Sequence, residues 1–194
     1  MLFRSKPASW ITLAEDSGLM DVVGVELMNE ACRDIAGLGE VAPAFFTINM
    51  SPRQLSRQGA ADGVLRLVGK AGLGPEMLVI EMTEGALAND GIVMDNLHRF
   101  RAGGVRLFID DFGTGYSSLS HLRRFPIDGV KIDRAFIHPQ PDTELVKLIV
   151  DIAKTLGLLT VAEGIERESQ LDAVTELGVD YAQGYLLGTP GALA

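Results

Sequence analysis

The sequence predicts an α/β fold whose parallel sheet forms an incomplete (β/α)8, TIM-barrel-like array. Two observations carry this reading. Short apolar segments, often β-branched, alternate with longer segments of helical spacing, and each short segment holds a polar group inside it or at its C-terminal end. Strand–helix–strand alternation at this spacing marks repeated βα units. Near-continuous apolar strands fit a sheet covered on both faces.

The candidate strands span 45–50, 78–82, 105–109, 129–132, 159–162 and 181–187. The candidate helices span 23–36, 63–71, 90–102, 144–156 and 168–177. Glycines such as Gly157 and Gly178 stand between a helix and the next strand, where a left-handed C-terminal cap is expected. No Pro/Ser-rich linker or sequence repeat divides the chain, so residues 1–194 are read as one domain. A doubly wound sheet would give the same local pattern. In a barrel, however, all strand ends converge on one face, whereas an open sheet gathers only those near its switch point. The layout of polar residues favours the barrel, and six strands fall short of the eight that closure needs.

Composition narrows the function classes. The formal net charge is −9, which disfavours a nucleic-acid polymer as partner. Any anionic ligand needs a local cation, from a metal or from a placed Lys or Arg. Cys32 is the sole cysteine, so neither a disulfide framework nor a thiolate cluster is expected, and a reducing cytoplasmic location fits. It lies in a helical pattern and reads as a small buried hydrophobe. No apolar run is long enough to span a membrane, and residues 1–10 do not read as a signal peptide.

The strand ends carry the chemistry. They read Ile48-Asn49-Met50-Ser51, Ile80-Glu81-Met82-Thr83-Glu84, Ile109-Asp110-Asp111-Phe112, Val130-Lys131-Ile132-Asp133, Ala162-Glu163-Gly164-Ile165-Glu166 and Gln183-Gly184-Tyr185. A buried carboxylate is costly unless paired or metal-bound. Asn49, Glu81, Asp110, Asp111 and Glu163 offer only oxygen, which suits Mg²⁺, Mn²⁺ or Ca²⁺ rather than Zn²⁺. No histidine accompanies them, since His98, His121 and His138 fall in helices or loops. Neighbours in a regular strand point to opposite faces, so for Asp110 and Asp111 to share a pocket the strand is expected to end there. Lys131 sits within an apolar run, where it can orient a water, neutralise phosphate charge or make a structural salt bridge. Glu166 can support Glu163 or simply sit in the first turn of a helix, where the dipole favours it. The glycine-containing run after Asp111 reads first as an ordinary βα loop capped by Ser117 or Ser118, with a mobile lid or a dimer contact as the alternative.

Taken in order, these motifs, with Asp110-Asp111-Phe112-Gly113-Thr114-Gly115-Tyr116-Ser117-Ser118-Leu119 at the centre, resemble the EAL-domain signature series over residues 10–190. Ile11-Thr12-Leu13-Ala14-Glu15-Asp16-Ser17-Gly18-Leu19 resembles the segment before that family's first long helix. The resemblance implies hydrolysis of cyclic di-GMP to linear pGpG with two Mg²⁺ or Mn²⁺ ions, Ca²⁺ acting as inhibitor. It implies metal ligation by Asn49, Glu81, Asp110, Asp111 and Glu163, with Asp110 bridging the ions. Glu163 and Lys131 would activate or place the attacking water, and Glu166 and Gln183 would support the site. Glu84 would anchor the 111–119 loop, which in that family couples metal binding to homodimer formation.

The sequence departs from the pattern in two places. The Glu-Ala-Leu strand, with its metal-ligating Glu and following Arg, has no counterpart, and the C-terminal helix is missing. The first strand and last helix of the barrel are therefore expected to be absent. A hydrolase that is impaired, or completed by another chain or by residues outside this sequence, is the leading reading. A non-catalytic cyclic-di-GMP-binding or protein-interaction module is the alternative.

Overall fold

The computed structural model describes residues 20–87, 91–113, 122–189 and 191. Among the described residues the frame is a single sheet of six strands in sequential order, every neighbouring pair parallel. The strands are β1 Phe46–Asn49, β2 Leu78–Thr83, β3 Arg106–Phe112, β4 Gly129–Ile132, β5 Leu159–Ala162 and β6 Tyr181–Ala182. The helices are α1 Met20–Gly37, α2 Pro52–Leu55, α3 Ala60–Lys70, α4 Gly91–Ala102, α5 Thr143–Leu156 and α6 Glu168–Glu176. Among the described residues, helices join β1 to β2, β2 to β3, β4 to β5 and β5 to β6, and these are the βα units that the alternation predicts. Cys32 is buried within α1, in line with its reading as a small hydrophobe. Among the described residues, no helix is long and apolar enough to cross a membrane.

The period-2 alternation of the strands sorts their side chains into two layers. Leu78, Ile80 and Met82 of β2, Leu107 and Ile109 of β3, and Val130 and Ile132 of β4 join the main core with Val64 and Val68 of α3, Leu97 and Phe100 of α4, and Val146, Ile149 and Val150 of α5. The alternate positions Val79, Phe108 and Val161 form a separate inner cluster with Phe45 and Leu159. Phe45 precedes β1, Tyr181 lies in β6, and their rings meet edge to face with centroids 5.5 Å apart. The two outermost strands therefore approach each other at the N-terminal end of the sheet. The sheet is curled into a half-barrel, and its inner cluster is the floor. Phe108 fills that floor because its neighbour Gly129 has no Cβ; one placed there would lie 2.7 Å from the Phe108 ring.

Two strands differ from expectation. The sixth is only Tyr181–Ala182, because at Gln183 the chain begins to turn back over Ile165. Ile165 N–H donates to Gln183 O at 3.1 Å, and Leu186 N–H donates to Ile165 O at 3.0 Å. The glycine of Gln183-Gly184-Tyr185 permits this approach, since a Cβ at Gly184 would fall 2.1 Å from Ile165 O. The third strand does not end at Asp110 but continues to Phe112. The consequence appears at the site.

Candidate active site

Asp110 and Asp111 reach one pocket through a defect in β3 rather than through its end. The β3–β4 register shifts between Ile109 and Phe112, and Asp111 has φ 53. It is the one non-glycine residue with positive φ among the described residues. Asp is among the few side chains that tolerate this left-handed conformation. The bulge breaks the alternation locally. One carboxylate oxygen from each of Asp110, Asp111 and Glu163 then lies within 4.8 Å of the others.

Lys131 stands at the centre of the carboxylates. Its Nζ is 2.5 Å from Glu163, 2.8 Å from Glu81 and 3.0 Å from Asp110. Lys131 and Glu81 are both buried on the inner face. Parallel pairing sets their heights: Lys131 is level with Val161 of β5, and Glu81 with Phe108 of β3 and Asn49 of β1. The next inward position along β3 is Asp110, and along β5 it is Glu163.

The electrostatics follow from this crowding. Asp111 is pushed up to about 6 by burial first, then by its hydrogen bond to Asp133 and by the charges of Asp110, Asp133 and Glu163. Burial also raises Glu163, and Lys131 partly offsets the effect. Burial pulls the Lys131 ammonium down, but Glu81 and Glu163 more than reverse this, so it ends above the ordinary lysine value. Carboxylates so placed prefer a proton or a cation among them. An all-oxygen trio of this kind fits a hard divalent ion.

Around this centre lies a ring that sequence reasoning read only in part. Glu166 is 3.4 Å from His138 Nε2 and 3.7 Å from Arg134 Nη2. His138, expected in a helix or loop and not among the oxygen ligands, lies in the turn after β4 and meets Glu166 rather than the trio. Asp133 bonds Asp111 and also caps its own turn, accepting from Ala135 N–H at 2.6 Å. Its place at the end of Lys131-Ile132-Asp133 was the available signal. Arg134 packs over Gly164, whose φ of +74 and missing Cβ leave room for it. Glu84 accepts from Gly113 N–H at 3.2 Å, at the root of the 111–119 loop. Residues 114–119 of that loop, with Ser117 and Ser118, lie outside the described residues, as do 11–19 and His121. Asn49 is exposed at the C-terminal end of β1, level with Glu81. Gln183 is exposed and shares a cavity of about 340 Å³ with Glu81, Phe108 and Val161.

The EAL domain family model matches residues 4–190. The chain belongs to the EAL-domain family. It is 39 % identical over 191 residues to the bifunctional diguanylate cyclase/cyclic di-GMP phosphodiesterase MucR of Pseudomonas aeruginosa, covering 95 % of this chain and 28 % of MucR. It is 39 % identical over 195 residues to the cyclic di-GMP phosphodiesterase NbdA of the same organism, covering 97 % of this chain and 25 % of NbdA. This EAL chain thus spans about a quarter of the length of these two relatives. Among solved structures, the MucR phosphodiesterase in complex with c-di-GMP superposes with a TM-score of 0.88 at 39 % identity, covering 95 % of this chain and 77 % of that one. Klebsiella pneumoniae BlrP1, solved with calcium and cy-diGMP, superposes with a TM-score of 0.77 at 30 % identity, covering 89 % of this chain and 44 % of BlrP1. The TIM-barrel-like class and the family expected from the sequence both stand.

Proposed function

We propose that this EAL domain carries out metal-dependent hydrolysis of cyclic di-GMP to linear pGpG in bacterial second-messenger signalling. The observation that supports it most is the Asp110–Asp111–Glu163 trio beside Lys131, at the C-terminal face of a parallel barrel sheet. In this reading Asn49, Glu81, Asp110, Asp111 and Glu163 hold Mg²⁺ or Mn²⁺. When bound, the ions supply the positive charge that draws in a dinucleotide phosphate and stabilises the charge that develops on it during attack. Lys131 holds Glu81 and Glu163 apart and in place. Glu163, raised by burial, accepts the proton that the attacking water loses. Water oxygen bonds to phosphorus, one phosphoester P–O bond breaks, and the departing ribose oxygen leaves as a hydroxyl once protonated. Glu166, held between His138 and Arg134, and Gln183 support the site at its rim.

The same reading treats residues 1–194 as one domain in a reducing cytoplasm, pairing as a homodimer through the 111–119 loop. The Glu84–Gly113 bond at the root of that loop supports its coupling to the site. The test is incubation of the purified chain with cyclic di-GMP and Mn²⁺, with product separation, beside an EDTA control and the Glu163→Gln variant. Linear pGpG that disappears in both controls supports the proposal. Calorimetric binding without product would instead establish the non-catalytic binding module.

A further inference from the structure

Gln170 is a polar side chain buried to 1 % exposure in the first turn of α6. Its Oε1 accepts from Glu166 N–H at 2.8 Å and from Arg167 N–H at 3.0 Å. Capping a helix N-terminus needs no more than this acceptor. The other end of the amide is spent elsewhere: Nε2 donates to Ile137 O and to Pro139 O, both at 3.3 Å. Both donors and both acceptor sites of the buried amide are thereby used.

The two backbone segments it joins are the ones that carry the site. The turn after β4 holds Asp133, which bonds Asp111, together with Arg134 and His138, which face Glu166. The turn after β5 runs from Glu163 to Arg167. Its start is fixed by Glu163 N–H donating to Ile132 O at 3.1 Å, and its middle by the Ile165–Gln183 bond. Its end is fixed by Gln170. The mutual spacing of the far ends of the two turns, and so the approach of Glu166 to Arg134 and His138 beside the carboxylates, is set where one side chain binds both.

We propose that Gln170 is a positioning residue for the divalent-cation site: it acts through backbone, locking the turn that carries Glu163 and Glu166 onto the turn that carries Asp133 and His138. This rests on the reading that the Asp110–Asp111–Glu163 trio takes a divalent ion. Outer partners that orient metal ligands are worth roughly 10- to 100-fold in affinity or activity.

The test compares the whole chain as wild type, Gln170→Leu, Gln170→Glu and Val174→Ala. Val174 is buried on the same helix and serves as a control for plain loss of stability. Glutamate keeps both accepted amides but loses the donors to Ile137 and Pro139. Two quantities are read: Mn²⁺ affinity by calorimetry, and kcat against KM for cyclic di-GMP with Mn²⁺. The expected result is a fall of about tenfold or more in Mn²⁺ affinity and in kcat for Gln170→Leu and Gln170→Glu. KM and every Val174→Ala value should stay within twofold of wild type. If Gln170→Leu does not fold, Gln170→Glu decides alone. Wild-type affinity and kcat in Gln170→Glu would overturn the bridging role while leaving the site reading intact. A wild-type chain that binds no Mn²⁺ would overturn both.

Discussion

Lys131 donates to Glu81 at 2.8 Å across 50 residues of sequence, with both side chains almost wholly buried. In a chain of net charge −9, the inner face of the sheet carries its own counter-cation. A buried ion pair adds little net stability over an apolar pair, but removing one partner strands the other. The pair therefore sets a constraint on the apo domain: its carboxylates tolerate one another only while a cation or a proton stands among them.

Lys131→Met tests this. Metal-free, the variant should lose about 3–5 kcal/mol of stability, the cost of leaving a buried charge unpaired. Saturating Mn²⁺ should restore a larger part of that loss in the variant than it adds to wild type. Denaturant titrations with and without Mn²⁺ read both effects. Equal stabilisation of the two proteins by Mn²⁺ would sink the idea.

The fold was legible because local signals agreed. β-branched runs, helical spacing and C-terminal polar groups all pointed to parallel βα units, and the Asn49, Glu81, Asp110, Lys131 and Glu163 positions sit at or near the strand ends where the pattern placed them. What escaped the sequence was tertiary. Residue types and spacing cannot show that β3 runs through Asp110 and bulges, because the left-handed Asp111 is fixed by pairing with β4. Nor can spacing show that His138 turns toward Glu166, since the two lie on different βα turns. Gln170, in the first turn of α6, carried no signal in the sequence, because what sets it apart is the second end of its amide, bonded to Ile137 O and Pro139 O on another βα turn.

At the opposite rim of the sheet, Asp180 Oδ2 accepts from both Thr160 N–H and Thr160 Oγ1–H at 2.8 Å. Thr160 is fully buried. Asp180→Ala should therefore cost about 1–3 kcal/mol through unsatisfied buried donors, with Mn²⁺ affinity unchanged. Thermal denaturation and calorimetry check the two halves. A loss of metal affinity as large as that of Glu163→Gln would contradict the separation of this rim from the site.

The raised Asp111 carboxyl predicts a pH dependence with a definite sign. Its folded-state value of about 6 stands above the ordinary 3.8. Between these values the folded apo chain holds a proton that the unfolded chain has released. The stabilising contribution is complete below pH 4 or so and is lost as pH rises through about 6. A bound cation must displace that proton, so Mn²⁺ affinity should climb by up to tenfold per pH unit below about 6 and level off above it. Calorimetry between pH 5 and pH 8 measures this; an affinity flat across that range would refute it.

Asp111→Asn separates function from stability at the same position. Asparagine tolerates the left-handed φ of 53 that Asp111 occupies. It removes one negative charge from a cluster already holding Asp110, Asp133 and Glu163. The metal-free variant at pH 8 should therefore melt a few degrees above wild type, a shift that corresponds to about 1 kcal/mol for a domain of this size. Mn²⁺ affinity should fall at least tenfold with the loss of a charged oxygen ligand. The two changes have opposite signs because the site keeps its carboxylates close at the expense of the apo fold. A variant that is both less stable and less able to bind Mn²⁺ would mean that Asp111 serves the fold as well as the ion.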